Sequence, residues 1–136
     1  FADRETILYV KCTDEADEHY EALSQMEREL QALRDLDGKP FKLIALPMTD
    51  AIYYDGERLP ATYANFLITN RQVLLPVYGV ASDPLAVRRL AQAFPGRRIV
   101  PIDCRAIIRQ HGSLHCLTMQ FPAALELKHP AGRVER

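Results

Sequence analysis

Residues 110–122 read QHGSLHCLTMQFP, a glycine–serine turn that leads into a run of alternating side chains. The alternation predicts a short strand at 114–121, because successive residues of a strand point to opposite faces. One predicted face is apolar, and the other presents the thiol of Cys116 beside a hydroxyl and an amide. A cysteine on the polar face just after a glycine turn is a candidate cleft-lining nucleophile, and a small core side chain is the alternative interpretation.

The two histidines of this stretch are not obvious bases for that thiol. His115 is adjacent to Cys116, so a regular strand would turn it to the opposite face. His111 lies in the turn and could fold back, although nothing in the sequence requires it. The same geometry argues against zinc, since both histidines and the cysteine would have to face one point, and we therefore expect no metal.

The rest of the chain predicts two similar α/β units. In the first, a long amphipathic helix connects two buried strands, which are expected to be parallel because such a connection is a crossover. The segment 48–60 between the units is either a solvated turn around Asp55 and Gly56 or a rim over a pocket. In chain order, the predicted elements are a strand at 6–11, a helix from Thr13 or Asp14 to about Leu36, a strand at 41–46, paired strands at 63–69 and 72–77, a helix that starts at Ser82 or Asp83 with Pro84 in its first turn, and a strand at 98–102.

Composition and charge exclude several classes of protein. Apolar residues make up 48% and charged residues 26% of the 136 residues, which is typical of a globular domain. No apolar run is long enough for a membrane span, and the arginine pairs lack the interleaved aromatic residues of a nucleic-acid interface, so we expect neither partner. Three cysteines without paired spacing argue against disulfides and fit a reducing cytoplasm. Residues 1–68 carry 14 acidic and 7 basic side chains, and residues 69–136 carry 4 acidic and 10 basic, so two copies could pair head to tail as a homo-oligomer.

Four blocks of sequence resemble the agmatine deiminases of the bacterial-type, or Porphyromonas-type, peptidylarginine deiminase family, whose members modify guanidinium groups. The blocks are LPATYANF at 59–66, VYG at 77–79, IDCRA at 102–106, and QHGSLHC at 110–116 with TMQ at 118–120. The resemblance covers nearly the whole chain and implies that Cys116 is the catalytic nucleophile. Gly112 and Ser113 are candidate substrate-binding residues beside it, because glycine lets the backbone approach a ligand closely, and a simple turn is the alternative. Cys12 and Cys104 lie outside the nucleophile's block and are interpreted as structural.

The resemblance also implies a fold and a larger protein. The guanidine-modifying, or pentein, fold is a five-bladed α/β propeller of strand, strand, helix, strand units, of which this chain would hold roughly the last two. In the family, a His-x-Asp pair followed by Arg-Phe lies just before a segment like 3–10, and Phe1 matches the end of that motif. We therefore expect residues 1–122 to be the C-terminal part of a single catalytic domain and residues 123–136 to be a frayed tail.

The reaction implied by the resemblance is hydrolysis of the guanidinium of agmatine to N-carbamoylputrescine and ammonia, in putrescine biosynthesis, through a covalent thiouronium intermediate on Cys116. A soft thiolate suits the poorly electrophilic carbon, carboxylates would hold the planar cation, and a histidine would protonate the leaving ammonia. In the family the histidine and the carboxylates lie upstream, so the isolated chain is expected to be inactive, and no cofactor is implied. The alternatives are peptidyl-arginine or free arginine as the substrate, or a non-catalytic α/β module that binds or self-associates.

Overall fold

A computed structural model describes residues 2–122, which form a mixed α/β structure of strands, two α-helices and two short 3₁₀ helices. The end of the predicted motif at Phe1 and the predicted frayed tail at 123–136 lie outside the described residues. In chain order the elements are β1 Thr6–Lys11, α1 Tyr20–Ala32, β2 Lys42–Pro47, β3 Tyr53–Tyr54, β4 Glu57–Arg58, β5 Leu67–Ile68, β6 Gln72–Val77, α2 Asp83–Ala93, β7 Arg98–Asp103, a first 3₁₀ helix Ile107–Gln110 and a second 3₁₀ helix His115–Leu117.

The first unit, residues 6–47, is the predicted parallel crossover. β1 pairs with β2 in one continuous register, from Thr6 opposite Lys42 to Lys11 opposite Pro47. α1 connects the two strands and packs against β1. A parallel pair needs a connection that returns the chain to the same end of the sheet, and the helix between the strands provides it.

α1 is shorter than predicted at its start. The predicted helix covers about 13–36, but α1 begins well inside that range. The Asp14 carboxylate accepts the N–H of Ala16, and the Asp17 carboxylate accepts the N–H of His19. Such side-chain bonds to the backbone two residues on favour turns over helix, so the acidic run forms turns and leaves the helix to start later.

The helix also ends earlier than predicted. The Asp35 carboxylate accepts the N–H groups of Asp37 and Lys39, which closes a separate loop after α1. Gly38 adopts a φ of 78° in that loop, so its left-handed conformation serves the loop and does not cap the helix. Leu36, the approximate end of the predicted helix, is fully exposed. α1 has no buried residue of its own, and its apolar stripe is only partly covered.

The second unit, residues 67–103, has the predicted strand, strand, helix, strand order. β5 pairs antiparallel with β6, and β6 pairs in parallel with β7. β5 is much shorter than the predicted strand at 63–69, because Tyr63 is buried in the core and does not join the ladder. Its hydroxyl donates to the Asp83 carboxylate at 2.6 Å and lies 2.8 Å from the Ser82 hydroxyl, at the start of α2.

α2 joins the two units into one core. It packs against β2 of the first unit as well as β6 and β7 of the second. Ala86, Leu90 and Ala93 form its buried face. The core they enter also contains Leu46, Tyr63, Val73, Leu75, Tyr78, Phe94, Cys104 and Ile108.

The segment 48–60 forms a small hairpin of β3 and β4. Asp55 and Gly56, with φ values of 51° and 84°, make the turn at its tip, which is exposed as predicted. The Arg109 guanidinium lies 4.6 Å from the centre of the Tyr54 ring, a cation–π contact that joins the hairpin to the first 3₁₀ helix. The hairpin therefore lies next to the segment that leads to Cys116.

The strand predicted at 114–121 is not observed in the described structure, so that prediction was wrong. The chain forms the second 3₁₀ helix there, and no residue of this segment pairs in a sheet. The His115 N–H bonds to Asn65 through the backbone carbonyl at 3.3 Å and the side-chain oxygen at 2.7 Å, and two later N–H groups bond back three residues. These bonds occupy donors that a ladder would need. Because His115 and Cys116 lie in a 3₁₀ helix, their side chains do not take the opposite faces that a strand would give them.

Candidate active site

Cys116 is the exposed cysteine of the described residues. It lies in the second 3₁₀ helix, whereas Cys12 and Cys104 are buried. Burial raises the pKa of the Cys104 thiol, which makes that thiol a poor nucleophile at neutral pH. The burial of Cys12 and Cys104 agrees with the prediction that they are structural.

Two N–H donors face the sulfur of Cys116. The backbone of Ser113 is one, and the side-chain amide of Asn65, with Nδ2 3.3 Å from Sγ, is the other. Together they hold the pKa of the Cys116 thiol below its usual value, because hydrogen bonds to a thiolate favour the charged form. A lowered pKa increases the fraction of thiolate near neutral pH, and the thiolate is the nucleophilic form.

The turn before Cys116 differs from the expected glycine turn in one respect. The left-handed conformation is adopted by His111, with a φ of 59°, and not by Gly112. Gly112 matters through its missing side chain, since a Cβ placed there would lie 3.4 Å from the Cβ and 3.9 Å from the Sγ of Cys116. Gly112 thus borders the thiol directly, and its predicted part in substrate binding stays a prediction.

The Ser113 side chain faces the core. Its hydroxyl is buried and lies 2.9 Å from the Tyr78 hydroxyl. The same Tyr78 hydroxyl donates to the Thr62 carbonyl at 2.9 Å and accepts the Thr62 N–H at 3.1 Å. The hydroxyl of Ser113 therefore ties the turn to the second unit, and the predicted contact of Ser113 with a substrate would have to involve its backbone.

A cleft of about 620 Å³ lies beside the turn. His111, Asp50 and Arg58 are among the residues that line it. The segment 48–60 therefore also forms the rim of a pocket, which was the second of the two interpretations of this segment. His111 Nε2 lies 3.7 Å from the Glu57 carboxylate. Within the described residues, neither this imidazole nor that of His115 is hydrogen-bonded to the Cys116 sulfur, and Cys116 does not line the cleft.

A second, smaller groove of about 370 Å³ lies beside Asn65. It is lined by Ala64, Asn65, Phe66, Ile68, His115 and Gln120. No role for Asn65 followed from the sequence, although the residue lies within the 59–66 block. Asn65 and Cys116 are 51 residues apart in the sequence, so local spacing does not reveal their contact.

Two further observations concern residues 2–122. No group of three or more histidine, cysteine, aspartate or glutamate side chains in this range could hold a metal ion. Neither described helix combines the length and the apolar composition that crossing a membrane would require.

The sequence and the fold both resemble known deiminases. A Legionella pneumophila (strain Paris) protein provisionally named agmatine deiminase is 32% identical over 122 residues, covering 89% of this chain and 35% of that protein. The solved structure of a provisionally named arginine deiminase from Porphyromonas gingivalis superposes with a TM-score of 0.88 at 51% identity, covering 90% of this chain and 36% of that chain. The solved structure of a cysteine-to-serine variant of C. jejuni agmatine deiminase with substrate bound superposes with a TM-score of 0.77 at 41% identity. The match covers 85% of this chain and 33% of that chain.

These similarities cover most of this chain but only about a third of each of those relatives. The family model described as Porphyromonas-type peptidyl-arginine deiminase matches residues 1–122. That match and the shared mixed α/β fold lead to one conclusion. This chain belongs to the Porphyromonas-type peptidyl-arginine deiminase family.

Proposed function

We propose that this chain supplies the nucleophile of a deiminase that hydrolyses a guanidinium group, with Cys116 as that nucleophile. The observation that carries the proposal is an exposed thiol whose pKa is lowered by two N–H donors, in a chain of a deiminase family. Cys12 and Cys104 are buried and lack this environment. The substrate-bound C. jejuni variant, in which a cysteine is replaced by serine, supports a cysteine-dependent reaction in this family.

The proposed chemistry has two steps. The thiolate of Cys116 forms a C–S bond to the guanidinium carbon, a C–N bond breaks, and ammonia leaves after taking a proton. Water then adds to the resulting thiouronium carbon, the C–S bond breaks and the thiolate is restored. The net change converts a guanidinium and water into a carbamoyl group and an ammonium ion, and no cofactor takes part.

The other groups that this chemistry needs are proposed to lie outside residues 2–122. A histidine must move the protons, and carboxylates must hold the planar cation by paired hydrogen bonds. By resemblance to the family, these groups lie upstream in sequence. We further propose that residues 1–122 belong to one catalytic domain, and that the two units described here are repeats of a five-unit propeller.

Agmatine is the substrate we propose first, with N-carbamoylputrescine as the product in putrescine biosynthesis. The names of the L. pneumophila and C. jejuni relatives favour it. The second candidate is arginine, free or within a peptide. It is favoured by the name of the P. gingivalis structure, which shares 51% identity with this chain, and by the description of the family.

An ammonia-release assay on the full-length protein distinguishes these substrates. Agmatine, free arginine and a peptide with an internal arginine are compared at equal concentration, and the product is identified by mass spectrometry. We expect agmatine to have the highest kcat/KM. A higher kcat/KM for either arginine substrate would favour the second candidate, and no ammonia from any of the three would contradict the proposed function.

Gly112→Val is expected to reduce kcat about 10- to 100-fold, because its branched side chain would meet the Cys116 side chain and displace the sulfur from its reactive position. The change in melting temperature should be small, since the Gly112 backbone has no left-handed φ that a side chain would strain. Gly96→Val is the matched control, because nothing lies within 4 Å of a Cβ placed there. A loss of activity no larger than the loss of stability would contradict the role of Gly112.

A further inference from the structure

We propose that Tyr78 is a positioning residue of the Cys116 site, whose buried hydroxyl fixes the turn that leads into the cysteine. It acts through Ser113, the residue of that turn whose backbone N–H faces the Cys116 sulfur and whose side chain contacts Tyr78. Its effect on turnover rests on the proposed function, whereas its effect on the thiol does not. The two effects can therefore be tested separately.

The direction of each hydrogen bond follows from the partners of the Tyr78 hydroxyl. The Thr62 carbonyl, at 2.9 Å, can only accept, so the hydroxyl proton of Tyr78 is directed at it. The Thr62 N–H, at 3.1 Å, can only donate to the Tyr78 oxygen. The Ser113 hydroxyl, at 2.9 Å, must therefore be a donor as well. The Tyr78 hydroxyl thus donates one hydrogen bond and accepts two, which uses its full capacity.

This network is shielded from water. Tyr78 and Ser113 are each 2% exposed, and the hydrogen bond between their hydroxyls is buried. Burial also raises the pKa of the Tyr78 hydroxyl, so the group keeps the proton that it donates to Thr62 at neutral pH. A buried hydroxyl that loses its partner is left unsatisfied, at a cost in free energy. The position of the Ser113 side chain therefore depends on Tyr78.

The backbone of Tyr78 is held from outside the Cys116 turn. The Asp83 carboxylate, at the start of α2, accepts the Tyr78 N–H at 3.2 Å. It also accepts the N–H groups of the next two residues, at 2.8 and 3.2 Å. These bonds fix the end of β6 against the start of the helix. A side chain held at both its backbone and its hydroxyl can set the position of a neighbouring turn.

The environment of the thiol depends on where this turn lies. The Ser113 N–H is the main group that lowers the pKa of the Cys116 thiol. Hydrogen bonds weaken steeply as their angle departs from linear, so a displaced turn would stabilise the thiolate less and reduce its fraction at neutral pH. A displaced sulfur would also approach the guanidinium carbon from a poorer position, which lowers kcat.

Tyr78→Phe tests the hydroxyl, because it keeps the ring and removes only the hydrogen-bonding atom. Tyr63→Phe is the matched control. Tyr63 is also buried, its ring centroid lies 5.8 Å from that of Tyr78, and its hydroxyl contacts Ser82 and Asp83 at the start of α2. Both variants lose a buried hydroxyl, so both should lower the melting temperature. Only Tyr78→Phe should change the thiol of Cys116.

The test measures the rate of iodoacetamide alkylation of the Cys116 peptide against pH in the full-length protein, with the modified peptide resolved by mass spectrometry. Tyr78→Phe is expected to raise the midpoint of this profile by roughly 0.5 to 1 pH unit and to slow alkylation at pH 7 about three- to tenfold. Ser113→Ala removes the other end of the same bond and should raise the midpoint similarly. The double variant should shift it little further, because both changes remove one interaction.

An unchanged midpoint in folded Tyr78→Phe protein would overturn the proposal. So would an equal shift in Tyr63→Phe, since the effect would then come from a general loosening of the core. Additive shifts in the Tyr78→Phe and Ser113→Ala double variant would also overturn it, because Tyr78 would not act through Ser113. If Tyr78→Phe does not fold, Ser113→Ala decides alone, and an unchanged midpoint in that protein contradicts the proposal.

Steady-state kinetics connect this positioning role to turnover. If the function is as proposed, Tyr78→Phe should lower kcat at pH 7 by about tenfold with a smaller change in KM, and Tyr63→Phe should leave both unchanged. A shifted alkylation profile in a protein that releases no ammonia from any guanidinium substrate would support Tyr78 and contradict the proposed function. Ammonia release with an unshifted profile would contradict only the role of Tyr78.

Discussion

Cys116→Ala in the full-length protein is expected to reduce ammonia release from agmatine by roughly 10⁴-fold or more, because the reaction loses its nucleophile. The melting temperature should hardly change. The Cys116 side chain is exposed, and surface substitutions usually alter the free energy of unfolding by no more than about 0.5 kcal/mol. The measurement is steady-state ammonia release, together with thermal unfolding of both proteins.

Two further variants sharpen this experiment. Cys116→Ser should also be inactive but should still bind agmatine, as measured by calorimetry, since the side chain changes little in size. Cys104→Ala is the matched cysteine control, and because Cys104 is fully buried it should lower stability while activity per folded molecule is kept. Retained turnover in Cys116→Ala would contradict the assignment of Cys116 as the nucleophile. An equal loss of ammonia release in a normally folded Cys104→Ala protein would weaken that assignment.

The isolated 136-residue chain is expected to release no ammonia from agmatine above background. The Cys116 sulfur is held by an amide and a backbone N–H, and no carboxylate or imidazole of the described residues bonds to it. His111, which lies 3.7 Å from the Glu57 carboxylate, and His19, which lies 3.1 Å from the Asp17 carboxylate, both line a cleft that Cys116 does not line. Proton transfer and binding of the planar cation would therefore lack their groups.

The competing hypothesis is that Asp50, Asp55, Glu57 and His111 form a complete site with Cys116. It predicts agmatine turnover by the purified chain at a rate comparable to that of the full-length protein, lost on Cys116→Ala. Size-exclusion chromatography should accompany the assay. Leu117, Met119 and Phe121 are 66%, 77% and 51% exposed, and an apolar surface of this kind favours self-association.

The order of the elements followed from the sequence because each depends on local signals. A run of apolar residues predicts β1, an amphipathic repeat predicts α1, and the crossover between them requires β2 to be parallel to β1. The same holds for β6, α2 and β7, where Pro84 lies in the first turn of the helix. Boundaries were less accurate, since the carboxylates of Asp14 and Asp17 bond to the backbone and delay the start of α1.

The segment around Cys116 could not be predicted in this way. Alternation of polar and apolar residues at 114–121 is a valid signal for a strand, but a strand also needs a neighbour for its backbone donors. Here the His115 N–H bonds to Asn65, which lies 50 residues earlier, and the chain turns into a 3₁₀ helix. The predicted apolar face is correspondingly exposed at Leu117, Met119 and Phe121.

The sequence by itself predicted the family and the succession of strands and helices up to β7, and it made Cys116 the candidate nucleophile, because these depend on residue identity and local spacing. Only the tertiary structure decided what surrounds that cysteine. Asn65 reaches the Cys116 sulfur from a distant segment, Ser113 lies in the turn just before Cys116, and Tyr78 contacts both segments. The reactivity of a thiol depends on donors within a few ångströms of it, and contacts at that distance are made by the folded chain.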